Sequence, residues 1–218
     1  MIIPFRTPEE IAEAIPRVVA HLAAGGLLAY PTETVYGLGS RAVEADVAAL
    51  ANLKGRAASK PFLLLISGRP MAEAHGLAFN ASADALARAF WPGPLTLVLP
   101  GGSGRLPDLL RGPAPESGIA VRWTSHAGIA KLVTAMQSPL TSTSANLKGS
   151  QPAPGAAAIA RDFATAVADG RLLVLDGGVL GNRPPSTVVD CTQPEARLVR
   201  EGAISVSALR RAAGRLAP

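Results

Sequence analysis

The chain has 218 residues, a net charge of +5 and a single cysteine, Cys191, which excludes an intrachain disulfide framework and a cysteine-rich metal site. That length allows one large domain or two small ones around a sizeable core. Hydrophobic residues make up 48% of it, yet no apolar run approaches the roughly 18 residues of a membrane helix and the opening MIIPFRTPEE lacks a signal peptide's layout, so a soluble cytoplasmic protein is expected.

In chain order, Thr7 followed by Glu9 and Glu10 predicts an N-cap with acids in the first turn, opening a helix toward His21–Ala24. Pro16 predicts a kink or a late start. Gly25-Gly26 ends the helix, and Leu27–Tyr30 reads as a buried strand. Val43–Leu53 fits a helix and Phe62–Ile66 a strand. Ser82–Phe90 fits a helix capped by Ser82 and stopped by Trp91-Pro92-Gly93-Pro94. Leu95–Leu99 is a strand and Pro100–Gly118 a long loop, whose Gly101-Gly102-Ser103-Gly104 has no helix pattern after it and reads as flexible. Ile119–Trp123 is a strand, Ala127–Gln137 a helix and Leu140–Thr143 a strand end. Gly149–Pro154 forms a turn before a helix over Ala156–Ala168. Leu172–Leu175 is a strand, Asp176–Pro185 a Gly/Pro loop, Thr187–Asp190 and Arg197–Arg200 short strands, and Ser205–Ala213 the last helix. No repeat or linker divides the chain. The alternation predicts one α/β domain over residues 1–218 with an open, twisted sheet and flanking helices.

Two segments concentrate polar chemistry: PTETVYGLG at Pro31–Gly39 and TSTSAN at Thr141–Asn146. Each follows an apolar run, so each delivers hydroxyls at a strand end, where open α/β sheets form their crevices. A turn or helix cap uses one or two such groups; Ser142, Thr143, Ser144 and Asn146 exceed that need and suit a small polar ligand. Ser186-Thr187 and Arg200-Glu201-Gly202 repeat the theme. Lys54, Arg56 and Lys60 form a cationic cluster after a helix. Cations at a helix C-terminus complement its dipole, which accounts for one of them, whereas three around a glycine suit a triphosphate. The P-loop signature GxxxxGK[ST] is missing. His21, His75 and His126 are far apart and read as structural. Arginine outnumbers lysine 17 to 4; this fits either polyanion binding or a compositional bias, and no basic stripe marks a nucleic-acid face.

Seven segments in order resemble the YrdC family: AYPTETVYGLG, LKGRAASKPFLLLI, FWPGPLTLVLP, IAVRW, LTSTSANLKGSQPA, PPSTVVD and LVREGAI, together spanning roughly residues 10–205. The bacterial single-domain members of that family are threonylcarbamoyl-AMP synthases. The resemblance implies an open, twisted mixed sheet with a large cationic cavity on one face. It implies a reaction in which L-threonine, bicarbonate and ATP give threonylcarbamoyl-adenylate and pyrophosphate. The product would pass to a tRNA threonylcarbamoyl transferase complex that modifies adenosine beside the anticodon. By the same resemblance Thr32, Thr34, Arg122, Thr143, Ser144 and Ser186 contact threonine, with Arg122 on its carboxylate. Lys54, Arg56, Lys60, Asn146 and Arg200 hold ATP, and Lys54, Arg56, Ser144 and Asn146 carry catalysis. Magnesium would be held by phosphate oxygens and water.

Two positions depart from some relatives: Lys60 replaces Asn, and Leu65 replaces a His that could hydrogen-bond threonine. The rival readings are a tRNA or double-stranded RNA binder without turnover, and the carbamoyl-adenylate chemistry of hydrogenase-maturation proteins. The hydroxyl rows speak against the first. The second is accompanied elsewhere by zinc-finger and acylphosphatase-like regions that this sequence lacks.

Overall fold

The fold is that of a computed structural model, which describes residues 1–55, 61–112, 118–147, 149–181 and 183–217. After a short edge strand β1 (Ile2–Pro4), helix α1 (Pro8–Ala23) starts as its sequence dictates. Thr7 accepts from the Glu10 amide while the Glu10 carboxylate accepts from the Thr7 amide, a reciprocal capping box. Ile11, Ala14, Val18 and Leu22 form its buried stripe. Pro16 neither delays nor ends the helix: it is exposed, so water can meet the carbonyl left without an amide partner.

Strands β2 (Leu27–Tyr30) and β3 (Gly37–Gly39) flank the PTET segment. Helix α2 (Glu44–Lys54) stops at Gly55, whose φ of +54° is left-handed and favours glycine. Then come β4 (Leu63–Ile66), α3 (Arg69–Ala74) and α4 (Ala81–Phe90). The cap of α4 is Asn80, not Ser82: Asn80 accepts from the Ala83 amide at 2.8 Å, and the Ser82 hydroxyl donates to the Pro194 carbonyl. Strands β5 (Leu95–Leu99) and β6 (Ile119–Trp123), helix α5 (Ala127–Met136) and strand β7 (Leu140–Ser144) follow. The helix predicted over Ala156–Ala168 breaks at Phe163 into α6 (Ala156–Asp162) and α7 (Ala164–Ala168). Strands β8 (Leu172–Asp176), β9 (Thr187–Asp190) and β10 (Arg197–Arg200) and helix α8 (Val206–Ala213) complete the order.

Among the described residues the strands form one mixed sheet of ten, in the order β1-β8-β2-β3-β7-β4-β6-β5-β9-β10. Its ends do not meet, so the sheet is open, as expected. Strand alternation sorts the side chains onto two faces. Leu64, Leu97, Val121 and Val189 enter one core, together with residues of α2, α4 and α8. Leu28, Tyr30, Leu65, Leu140 and Leu173 enter the other, under α1 and α5. That second face is covered only in part. Beyond Leu65 the same row continues as Arg122, Thr96, Val188 and Arg200: Leu65 pairs with Arg122, Thr96 and Arg200 each pair with Val188, and one further step of the β5/β6 register sets Thr96 beside Arg122. The row turns polar where the helices end, and there the sheet face becomes the floor of a crevice.

Candidate functional site

The crevice has two lobes. The smaller, about 310 Å³, brings together Thr32, Thr34, Arg122, Thr143, Ser144 and Ser186, all six side chains expected around threonine. Leu63, Ala120 and Val188 give it an apolar floor. The larger, about 780 Å³, is walled by Pro152, Pro154, Pro184 and Leu180, with Gln151 and Arg183 as its added polar groups. Thr34, Ser144, Pro185 and Arg200 border both lobes.

Hydrogen-bond directions at the PTET segment follow from proton counting. The Thr32 hydroxyl donates its one proton to the Val35 carbonyl at 2.7 Å and accepts from the Thr34 amide at 3.1 Å. The Thr34 hydroxyl, 3.0 Å away, must therefore donate to Thr32. Its own oxygen accepts from Nη1 and Nη2 of Arg122, both at 3.2 Å. Both threonines thus border the cavity with their hydroxyls already committed, and what they organise is Arg122. That arginine lies within β6, as the strand predicted over Ile119–Trp123 requires, and it is 4% exposed. Its Nη2 is 2.7 Å from Oε1 of Glu33. Burial alone would raise the Glu33 pKa, but the Arg122 charge and the Thr124 hydroxyl outweigh it and hold this carboxyl below the usual range.

On the opposite wall Ser144 donates to Oδ1 of Asn146 at 2.5 Å. The Lys54 ammonium reaches the Ser144 carbonyl at 2.9 Å, Oδ1 of Asn146 at 3.1 Å and the Asn146 carbonyl. Lys54 and Asn146 therefore stand behind Ser144 and shape the turn after β7. Arg200 reaches the site from β10, donating to the carbonyl of Ser186 at 2.8 Å, while the Ser186 hydroxyl bonds Thr96 at 2.9 Å. Burial, and then the like charge of Arg122, lower the Arg200 pKa. Among the described residues Arg200 has no carboxylate partner, so it presents an uncompensated positive charge to both lobes. The approach of β10 depends on Gly202, where a Cβ would sit 2.3 Å from the Pro185 carbonyl. Thr187, grouped with Ser186 in the sequence, instead ties this segment by accepting from the amides of Gly202 and Ile204.

Arg56 and Lys60 lie outside the described residues. Leu65 is buried in the α1/α5 core beside Arg122 and is not part of the cavity wall. Sequence reading missed Glu33, Thr96, Gln151 and Arg183. The signal for Glu33 was present, a carboxylate between the two chosen threonines; the other three sat in segments read only as strand, turn or loop. Among the described residues no group of three or more His, Cys, Asp or Glu could hold a metal ion, and no helix is long and apolar enough to cross a membrane.

Comparison with known proteins bears on this geometry. The chain is 33% identical over 218 residues to a threonylcarbamoyl-AMP synthase of Pyrococcus abyssi, covering 99% of this chain and 62% of that protein. It is 37% identical over 185 residues to the protein of that name from Thiobacillus denitrificans, covering 84% of this chain and 94% of the relative. The chain thus spans about three-fifths of the archaeal relative and nearly all of the bacterial one. Among solved structures, Pyrococcus abyssi Sua5 complexed with L-threonine superposes with a TM-score of 0.88 at 33% identity, covering 99% of this chain and 62% of that one. Escherichia coli YciO shares the fold, with a TM-score of 0.80 at 24% identity over 96% of this chain and 98% of that one. A family model described as telomere recombination matches residues 20–202, and with these relatives it shows that the chain belongs to the Sua5/YciO/YrdC family.

Proposed function

We propose that this protein is an L-threonylcarbamoyladenylate synthase, a nucleotidyltransferase that makes threonylcarbamoyl-AMP and pyrophosphate from L-threonine, bicarbonate or CO2, and ATP. The observation that carries the reading is the joined pair of lobes. A small polar lobe holding Arg122 opens, past Ser144 and Arg200, into a larger proline-walled lobe of nucleotide size. Support comes from relatives bearing the synthase name and from the similar structure complexed with L-threonine.

In this reading the threonine carboxylate meets Arg122, and its side chain lies over Leu63, Ala120 and Val188. The neutral amine attacks the carbon of CO2, forming the carbamate N–C bond as one C=O pair moves onto oxygen and the nitrogen gives a proton to water. Starting from bicarbonate, the same carbamate forms with loss of one water. A carbamate oxygen then attacks the α-phosphorus, and the bond to the β-phosphate oxygen breaks to release pyrophosphate. Such chemistry needs positioning and charge neutralisation more than a nucleophilic side chain. Arg200 sits where the two substrates meet and opposes the negative charge that develops there. The Ser144 hydroxyl, its proton committed to Asn146, keeps its lone pairs for a donor such as the substrate amine. Lys54 and Asn146 act by holding that wall, and Arg56 and Lys60 take the triphosphate. Magnesium would arrive on the phosphates and neutralise them, with no carboxylate ligand assigned. The mixed anhydride formed is reactive toward water, which fits transfer to a tRNA threonylcarbamoyl transferase complex.

The test is pyrophosphate release from ATP with threonine and bicarbonate supplied or withheld. Release should require both, and serine should be the poorer substrate by about 1–3 kcal/mol, the worth of one methyl in a fitted pocket. Equal release without threonine overturns the assignment, as does salt-sensitive RNA binding with no turnover.

A further inference from the structure

We propose that Glu33 is a positioning residue that acts on substrate through Arg122, an inference resting on the assignment of Arg122 to the threonine carboxylate. Arg122 is 4% exposed, and a guanidinium buried to that extent requires a counter-charge. Among the described residues Glu33 is its ion-pair partner. The Glu33 carboxylate is itself fixed from three directions. Oε1 is ion-paired with Arg122 at 2.7 Å and accepts from the Ser125 amide at 3.2 Å, and Oε2 accepts from the Thr124 hydroxyl. Thr124 and Ser125 directly follow β6, the strand that carries Arg122. Glu33 therefore clamps the β2–β3 connection to the end of β6 and holds the Nη2 corner of the guanidinium, while Thr34 accepts from both Nη1 and Nη2.

What remains free on the arginine points to its task. Nη2 donates to Thr34 and lies 2.7 Å from the Glu33 carboxylate, so the fork cannot turn about its own axis without breaking an ion pair. Nε is buried and has no hydrogen-bond partner among the described residues. One Nη1 hydrogen serves Thr34, which leaves the other available. The chain thus orients this guanidinium without saturating it, which is the state a carboxylate-binding arginine needs before its ligand arrives. Glu33 is not part of the cavity wall, so its charge lies behind the arginine and not against the substrate. Its contribution is orientation.

The experiment is steady-state pyrophosphate release with threonine and ATP varied in turn, alongside threonine binding by calorimetry and a thermal melt. Glu33→Gln keeps the size and removes the charge; it should raise the KM for threonine about tenfold, as misplacement of a binding group does. The KM for ATP should stay within about twofold, since no nucleotide contact is touched. Glu33→Asp should recover part of the loss, and it carries the same test if the Gln variant folds poorly. In an Arg122→Lys background, Glu33→Gln should add little further weakening of threonine binding, because the two act as a unit. A folded Glu33→Gln protein with a lower melting temperature and unchanged threonine KM overturns the proposal, and so does full additivity with Arg122→Lys. Failure of the unaltered protein to release pyrophosphate in a threonine-dependent way overturns the function itself, and with it the assignment of Arg122.

Discussion

The ammonium of Lys54 lies among the carbonyl oxygens of Ser144 and Asn146 and the side-chain oxygen of Asn146, although it belongs to the last turn of α2. From sequence it could complement the helix dipole or hold phosphate; the structure adds a clamp across to the turn after β7. These roles separate energetically. Complementing a dipole is worth about 0.3–1 kcal/mol and does not touch catalysis. Hydrogen bonds to a charged group are worth about 1.5–3 kcal/mol net when partly buried. Lys54→Met keeps the aliphatic stem and removes all three donors. The expected result is a loss of about 1–3 kcal/mol in a denaturant melt together with a clear fall in pyrophosphate release, since Ser144 and Asn146 lose their support. A melt within about 0.5 kcal/mol of the unaltered protein and full turnover would return Lys54 to the dipole role.

Helix α5 carries a titratable cap. The Nδ1 of His126 accepts from the Ile129 amide at 3.4 Å, and its ring stacks on Phe5 with centroids 6.2 Å apart. Accepting at Nδ1 requires that this nitrogen be unprotonated. Burial lowers the His126 pKa from its ordinary 6.5, against the opposing pull of the Glu33 charge. The unfolded chain therefore takes up the proton first as pH falls, so stability is complete above about 6.5 and declines as pH drops toward the depressed folded value. Glu33 acts in a lower window: its folded pKa lies below 4.5, so its contribution is present above that value and is lost as pH falls through the folded pKa. His126→Asn keeps a good cap without a titrating ring; its melting temperature should change less between pH 7 and about pH 5 than that of the unaltered protein, and equal slopes would remove His126 as the cause. Elements of this kind differ in how far the sequence reveals them. Strands Leu95–Leu99, Ile119–Trp123, Thr187–Asp190 and Arg197–Arg200 were legible because short β-branched or apolar runs stand between Pro and Gly. Gly37–Gly39 was not, because two glycines in three residues give no local preference, and it is a strand only through pairing with β2 and β7. At the site, Thr32, Thr34 and Ser144 announced themselves by crowding. Glu33 acquires its meaning only from a partner on β6, and no local pattern encodes that pairing.

At the scale of the whole molecule, the sheet is one surface of two characters, covered by α1 and α5 where its row reads Leu140 and Leu65 and left open where it reads Arg122, Thr96, Val188 and Arg200. The two guanidiniums come from strands three places apart, about 14 Å at the usual strand spacing, and their side chains close part of that distance. Arg122 has Glu33 behind it, whereas Arg200 rests on the neutral oxygens of Ser186. Arg200 therefore sets an unbalanced charge on the border between the lobes, and Arg183, bonded to the neutral carbonyl of Glu33, adds another in the larger lobe. This arrangement predicts different kinetic signatures for the two arginines. Arg122→Lys keeps a charge but loses the fork, so it should weaken threonine and leave ATP nearly untouched. Arg200→Gln removes the charge that both ligands meet; turnover should fall by about 2.7–4 kcal/mol of transition-state stabilisation, as for loss of one preorganised donor, and the KM of both substrates should rise. Ligand-induced stabilisation gives an independent check, because threonine at about 100 times its dissociation constant adds about 2.7 kcal/mol to the folded state. In Arg200→Gln the shifts produced by threonine and by ATP should both shrink at the concentrations that saturate the unaltered protein. A variant in which only the ATP shift shrinks would place Arg200 wholly in the nucleotide lobe, and the two lobes would then be neighbouring sites that share a wall but not a charge.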